Sequence, residues 1–122
     1  MKSMKYLLYI VTAILLIGLL SFDGKEEQLL PTKLRITVID GLGNPVEGAK
    51  VTIYKKEVDY TNNQNPVDSA MTDNKGRVTF KELQPISYFV DARKDDSNNN
   101  GEGVQISPLQ EGKLNKVNTV IE

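Results

Sequence analysis

The stretch LRITVIDGLGNPVEGAKVTIY, residues 34–54, decides the fold of this chain. Apolar and polar side chains alternate at both of its ends, and a period of two is typical of strands with one buried face. Its centre is rich in turn-forming residues, which are Gly41, Gly43, Asn44, Pro45 and Gly48. The stretch therefore predicts a strand, a tight turn and a second strand, and the rest of the domain should cover the sheet that begins here.

Further strands are predicted downstream, each bounded by turn signals. The predicted strands cover residues 32–39, 49–55, 69–72, 77–80, 86–93 and 114–121, with a short one at 104–106. No segment after residue 30 has helical periodicity, so residues 57–68 and 94–103 are expected to be loops. All five prolines lie outside these strands, as strands paired on both sides require. The pattern predicts an all-β fold, a single antiparallel β-sandwich of about seven strands.

The beginning of the chain has the layout of a targeting segment. Lys2 and Lys5 precede an apolar run that only Thr12 and Gly18 interrupt. A positive end followed by an apolar core is typical of a secretory signal peptide. Without cleavage, residues 6–22 would remain as a hydrophobic anchor helix, slightly shorter than the ~20 apolar residues of an ordinary membrane span.

This layout divides the chain into three expected parts. Residues 1–21 are expected to be a signal peptide or membrane anchor, residues 22–32 a polar linker, and residues 33–122 the β-sandwich domain. The domain is then expected to be exported, to the periplasm, the cell surface or the outer side of a membrane. Contact with the membrane is expected only through residues 6–22, if they are not removed.

The composition excludes several kinds of chemistry. The 122 residues include no cysteine and no histidine, which rules out disulfides, thiolate nucleophiles, cysteine-bound metals and histidine general bases. The formal net charge is −1, and it becomes −3 when Lys2 and Lys5 are removed with residues 1–21. Such a mildly acidic domain has no electrostatic attraction to nucleic acid. We expect neither enzyme activity nor a nucleic-acid partner.

Three motifs carry a resemblance to a known family. They are VIDGLGNPVEGAKVTIY (38–54), TDNKGRVTF (72–80) and LQPISYFV (83–90). With them the chain resembles the carboxypeptidase regulatory-like domain, a prealbumin-like (transthyretin-like) or Ig-like β-sandwich common in envelope proteins of Bacteroidota. The resemblance covers residues 33–122. It implies a module without catalysis that serves folding support, docking or envelope assembly.

The second motif also permits a comparison with related folds. Asp73 and Gly76 are expected to close a hairpin and Phe80 to fill the core. Transthyretin-like hydroxyisourate hydrolases share the fold but depend on histidines, which are missing here. Pilin-type domains share the hairpin and form a lysine–asparagine isopeptide bond beside a buried acid. The residues that would form such a bond are Lys33 or Lys50 with Asn115 or Asn118, but Ala92 stands where the acid is expected and Asp91 lies one residue short.

The sequence DSNNNG at residues 96–101 matches the opening of a calcium-binding loop. Oxygen ligands alternate there, and Gly101 permits the sharp bend that such a loop needs. The candidate metal ligands are Asp95, Asp96, Asn98, Asn100 and Glu102. The twelfth position should hold a bidentate glutamate but holds Ser107. The alternative is a solvated hairpin tip of turn-forming residues, with no cofactor.

Two aromatic residues are candidates for ligand binding or docking. Tyr60 stands beside the amide-rich residues 62–65 in a loop that could contact carbohydrate, and the alternative is a long disordered loop. Phe89 lies on the strand face opposite Tyr88, where it either forms a docking patch or packs under the insert at 57–68.

These observations predict a non-enzymatic, exported envelope module that acts by contact with an unidentified envelope protein. The alternative from a different class is a carbohydrate- or calcium-binding β-sandwich that uses the loops at 57–68 or 94–103.

Overall fold

The computed structural model of the chain describes residues 30–101 and 104–122. Pro31–Glu122 form one compact unit. Its elements are β1 (Lys33–Ile39), β2 (Lys50–Tyr54), α1 (Glu57–Asn62), β3 (Asp68–Met71), β4 (Arg77–Phe80), β5 (Phe89–Lys94), β6 (Ser97–Asn98) and β7 (Leu114–Val120). The predicted all-β fold of about seven strands is confirmed.

The N-terminal predictions fall outside this part of the chain. The expected signal or anchor at 1–21 or 6–22, and most of the linker at 22–32, lie outside the described residues. Among the residues that the structure describes, no helix is long and apolar enough to cross a membrane.

The strands form two sheets. Sheet 1 has the order β4-β1-β7 and sheet 2 the order β3-β2-β5-β6. The antiparallel prediction needs one correction, because β1 and β7 are parallel, from Lys33 opposite Leu114 to Ile39 opposite Val120. The chain reaches β7 from sheet 2 through the long connection after β6, and a parallel pair requires a crossover connection of this kind.

Both of the predicted tight turns join the two sheets. The turn after β1 leads to β2, which lies in the other sheet, and the turn at residues 73–76 leads from β3 in sheet 2 to β4 in sheet 1. Asp73 and Gly76 do close the turn, because Gly76 N donates to Asp73 O (3.0 Å) and Asp73 N donates to Arg77 O (3.0 Å). The strands on either side do not continue as a paired hairpin, since they belong to different sheets. A turn signal fixes the local reversal of the chain, but the pairing partner is chosen by which faces must meet in the core.

Alternate residues of the strands fill the space between the sheets. The buried core consists of Leu34, Ile36, Val38, Ala49, Val51, Ile53, Val78, Phe80, Tyr88, Val90, Ala92, Leu109 and Ile121. Each fully buried aliphatic or aromatic side chain of this kind stabilises the fold by about 1.5–3 kcal/mol relative to exposure. The alternation in β1 was predicted from the sequence, as was the burial of Phe80.

The insert at 57–68 was expected to be a loop, but it contains helix α1. Glu57 and Asp59 place negative charge in the first turn, and Asn63 ends the helix in the left-handed conformation with φ of 53°. Acidic residues favour a helix N-terminus and asparagine tolerates the left-handed conformation. Six residues are too few to display a helical period in the sequence.

The other boundaries shift by a few residues. β5 begins at Phe89 rather than at residue 86, because a tight turn in which Ile86 N donates to Gln84 O (2.9 Å) precedes it. The expected loop at 94–103 includes the short strand β6, and the expected strand at 104–106 is reduced to one bridge between Phe89 and Gln105.

Asn99 lies at the start of the crossover connection, and only 1% of it is exposed. Its Oδ1 accepts a hydrogen bond from Ala92 N (3.0 Å) and its Nδ2 donates to Val90 O (2.9 Å). The side-chain amide thus continues sheet 2 in the manner of a peptide group. It also provides hydrogen bonds for two buried backbone groups of β5, which would destabilise the fold if they had no partner.

Candidate functional site

Tyr60 of α1 packs onto the outer face of sheet 2. Its ring meets Tyr54 edge-on, with centroids 5.9 Å apart, and lies tilted against Phe89 at 6.3 Å. Its hydroxyl donates to Asn100 Oδ1 (3.0 Å). Burial raises the pKa of Tyr60, and the nearby negative charge of Asp91 raises it further. Of the two positions expected for Phe89, the structure shows the second, in which the ring packs under the insert at 57–68.

The candidate calcium residues lie around the β5–β6 hairpin. Asp95 and Asp96 are exposed at its tip, where Asp95 has a positive φ of 52°. Asn98 Oδ1 already accepts from Asn100 N (2.9 Å), and Asn100 Oδ1 accepts from Tyr60. Glu102 lies outside the described residues, and among the others no group of three or more acidic residues could hold a metal. Calcium binding stays a prediction from the sequence pattern.

A concave surface, here called the outer groove, lies on the face of sheet 2 that points away from the core. It has a volume of about 360 Å³ and is lined by Lys50, Thr52, Tyr54, Asn63, Pro66, Ser69, Asp91 and Arg93. The strand period explains this lining, because the residues that alternate with the buried core positions of β2 and β5 must share the opposite face. The segment after α1 forms the wall of the groove with Asn63 and Pro66.

One ion pair organises the floor of the outer groove. Arg93 Nε donates to both carboxylate oxygens of Asp91, at 2.9 and 3.0 Å, and this interaction raises the pKa of Arg93. The side chain of Asp91 is 12% exposed and that of Arg93 is 53% exposed. Beside this pair, the hydroxyls of Thr52 and Ser69 share a hydrogen bond of 3.0 Å.

A second concave surface, here called the β7 trough, lies along the edge of sheet 1. It has a volume of about 580 Å³, and it is lined by residues 105–110 on one side and residues 114–118 on the other. Lys113 O accepts from Lys33 N and Ile121 N donates to Ile39 O, so the odd-numbered residues of β7 face β1. The backbone groups of Leu114, Lys116 and Asn118 consequently point away from β1.

A family model described as the carboxypeptidase regulatory-like domain matches residues 33–118. The chain belongs to this family. The resemblance seen in the three sequence motifs is thereby confirmed for most of the sandwich. No curated protein sequence gives a significant match to this carboxypeptidase regulatory-like domain.

Solved structures share the sandwich of this regulatory-like domain. The Bacillus anthracis TIE protein matches with a TM-score of 0.56 and 24% identity, over 75% of this chain and 17% of that chain. A streptococcal ancillary pilin matches with a TM-score of 0.57 and 14% identity, over 75% of this chain and 32% of that chain. The domain thus spans at most about a third of the length of these proteins, and the likeness shows the fold alone.

The candidate isopeptide residues are not brought together with an acid. Asn115 Nδ2 donates to Lys33 O (3.1 Å) in sheet 1, and Asn115 Oδ1 accepts from Gln110 N (2.8 Å). Asp91 lies on the outer face of sheet 2 and is bound to Arg93. Lys50 lies on that same face, whereas Asn118 is exposed on β7.

Two features of the candidate sites were not predicted from the sequence, which are the charged floor of the outer groove and the buried amide of Asn99. Asp91 and Arg93 alternate with buried Val90 and Ala92, so their shared outer face could have been predicted. That Lys50 lies opposite Arg93 depends on the register of β2 and β5, which no local pattern reveals. Asn99 stands between the candidate ligands Asn98 and Asn100 of the calcium motif, and a single sequence gives no sign that its amide is buried.

Proposed function

We propose that this carboxypeptidase regulatory-like domain is an exported, non-enzymatic envelope module that acts by protein–protein contact through the β7 trough. The observation that carries this proposal is the open edge of β7. An extended strand from a partner can add to such an edge, with backbone hydrogen bonds giving affinity and side-chain pockets giving specificity.

The lengths of the edge strands favour β7 over the other edges. β7 has seven residues, whereas the edge strands β3 and β4 have four each and β6 has two. Glu122 exchanges backbone hydrogen bonds with Asn98, at 3.0 and 3.2 Å, which closes the far end of this edge. Residues 114–118 remain for an added strand, and the side chains of residues 105–110 face it across the trough.

The charge of the trough favours an acidic strand. Lys116 is the charged residue among those that line the trough, it is exposed, and Leu114 is 38% exposed near it. A partner strand that alternates acidic and apolar residues would complement this surface, because cross-strand pairs of opposite charge and of apolar residues stabilise a sheet.

The chemistry of the chain supports a role without catalysis. Histidine and cysteine are missing from the sequence. Buried polar side chains such as those of Asn99, Thr72 and Tyr88 hydrogen-bond to backbone groups of the sandwich itself. The signal-like layout of residues 1–21 supports export, and the fold shared with an ancillary pilin is compatible with a role in assembly.

Site-directed cross-linking in the producing cells tests this proposal. A photoreactive amino acid replaces Lys116 in the trough or, as a control, exposed Asn74 at the turn before β4. We expect one protein adduct from position 116 in the envelope fraction and none from position 74. Intact mass of the protein in that fraction shows whether residues 1–21 are retained.

A second substitution makes the result specific for strand addition. Asn118→Pro removes a backbone N–H that points away from β1, so it should abolish the adduct without unfolding the sheet. Asn118→Ala keeps this N–H and should keep the adduct. Equal cross-linking from position 74, or an adduct that survives Asn118→Pro, would contradict the proposal.

A further inference from the structure

Two positive side chains lie side by side in the outer groove. Lys50 on β2 and Arg93 on β5 are directly opposite each other in the sheet register. Opposed residues of neighbouring strands have Cβ atoms about 4.5–5.5 Å apart, and like charges at such positions destabilise a sheet. A pair of like charges that destabilises the sheet, and that makes no structural contact in exchange, is expected at a ligand-binding site.

The local charges leave one positive charge without a counter-ion. Asp91 is bound to Arg93 through Nε, so these two bonds do not use the terminal nitrogens of the guanidinium. Among the residues that the structure describes, Lys50 has no ion-pair partner within 4.0 Å. The floor therefore carries a net charge of about +1 on a domain whose overall charge is negative.

The remaining lining offers neutral hydrogen-bonding groups. Thr52 and Ser69 bond to each other, and because only one hydroxyl hydrogen is used in that bond, the other can be donated to a ligand. The amide of Asn63 lies at the wall, whereas Tyr54 is only 4% exposed and adds little aromatic surface. A volume of about 360 Å³ is at the lower end of the range of small-molecule sites.

We propose that the outer groove binds an acidic sugar, such as a hexuronate residue of a polysaccharide. Its carboxylate lies between the Lys50 ammonium and the free edge of the Arg93 guanidinium, and its hydroxyls meet Thr52, Ser69 and Asn63. Asp91 acts as a positioning residue, because its bond to Nε fixes the plane of the guanidinium. This site is separate from the β7 trough, so either proposal can fail without the other.

A sugar acid suits this lining better than a protein carboxylate or an inorganic anion. The carboxylate of an aspartate or glutamate side chain would use the two cations and leave the hydroxyls and the amide without partners. An inorganic anion would fill a small part of the volume. Ring hydroxyls beside a carboxylate use both kinds of group.

Calorimetric titration of the full chain with tetragalacturonate tests the proposal. We expect saturable binding that weakens with added salt, and no binding of the neutral tetramer of galactose. Lys50→Gln should weaken binding about tenfold or more, because it removes a charged partner of the carboxylate. Lys75→Gln, at an exposed turn away from the groove, is the matched control and should leave the affinity unchanged.

Two further measurements distinguish a sugar acid from other anions that could bind the two cations. Arg93→Lys keeps the charge but loses the planar fork, so it should also weaken binding. A short glutamate-rich peptide and inorganic phosphate should bind at least tenfold more weakly than tetragalacturonate. Equal binding of the peptide, equal binding of the neutral tetramer, or an affinity unaffected by Lys50→Gln would each overturn the proposal.

Discussion

Asn99 donates a hydrogen bond from Nδ2 to Thr119 Oγ1 at 3.2 Å, and this bond joins the two sheets of the sandwich. Thr119 belongs to β7 of sheet 1, whereas the other contacts of the Asn99 amide are to β5 of sheet 2. Both side chains are almost completely buried. A polar bridge in an apolar core fixes the relative position of the sheets, because moving one sheet against the other would leave one N–H of the buried amide and the buried Thr119 hydroxyl without this bond.

Replacing Asn99 by alanine should destabilise the domain strongly. Asn99→Ala leaves Ala92 N and Val90 O buried without these partners, so we expect a loss of about 2–3 kcal/mol in the free energy of unfolding. Thr119→Val removes a single hydroxyl and should cost about 1 kcal/mol. Urea unfolding measures both. Asn118→Ala, at an exposed asparagine of the same strand, should stay within about 0.5 kcal/mol of wild type.

A second prediction concerns Gly76, where the backbone of the turn approaches β1. A Cβ at this position would lie 2.6 Å from Val38 O and 3.0 Å from Val46 N, and φ is +72°. Gly43 has φ of +86° with nothing within 4 Å. Gly43→Ala should therefore cost only the left-handed conformation, about 1–2 kcal/mol. Gly76→Ala should cost a further 1–3 kcal/mol, roughly, because backbone atoms must move. Equal losses in chemical denaturation would contradict this comparison.

The sequence predicted the local features of the fold well, namely strands and turns that depend on residues close together in the chain. The alternation at Leu34, Ile36 and Val38 predicted β1 and its buried face, and the run from Asp73 to Gly76 predicted a turn. What that turn connects was not predictable, because the choice between a hairpin and a link between sheets depends on strands far away in the chain. The parallel pairing of β7 is missed for the same reason.

In the candidate sites too, the sequence shows which residues are present but not which of them come together. The sequence leaves two alternatives open for Tyr60 and two for Phe89, and only the position of α1 shows that the two rings pack together. The like-charged pair of Lys50 and Arg93 joins two segments that are more than forty residues apart. Its charges are plain in the sequence, but their proximity is a property of the register between β2 and β5.

A third prediction concerns the acid stability that Asp73 provides. Its carboxylate accepts from Arg77 N (3.0 Å) and Lys75 N (2.9 Å), and these bonds hold the pKa of Asp73 below its model-peptide value of 3.8. Since the pKa is lower in the folded state, the ionised form stabilises the fold above the unfolded pKa. This contribution is lost as the pH falls through the folded pKa.

Asp73→Asn tests this effect, because the amide keeps an acceptor oxygen but cannot ionise. The difference in free energy of unfolding between wild type and variant should be largest near neutral pH and should shrink below about pH 4. Urea unfolding at a series of pH values measures it. Asp96→Asn at the exposed hairpin tip controls for the loss of one negative charge. A difference that stays constant with pH would show that Asp73 acts only through its hydrogen bonds.

The last prediction concerns how α1 is held on sheet 2. Tyr60→Ala removes the ring contacts with Tyr54 and Phe89, each worth about 0.5–1.5 kcal/mol. Hydrogen exchange should therefore accelerate in residues 57–63, while the amides of β1 remain protected because the core is untouched. Tyr60→Phe keeps the ring and loses only the hydrogen bond to Asn100, so exchange in the helix should change little. If Tyr60 were instead a free platform for a ligand, Tyr60→Ala would leave the exchange of α1 at the wild-type rate.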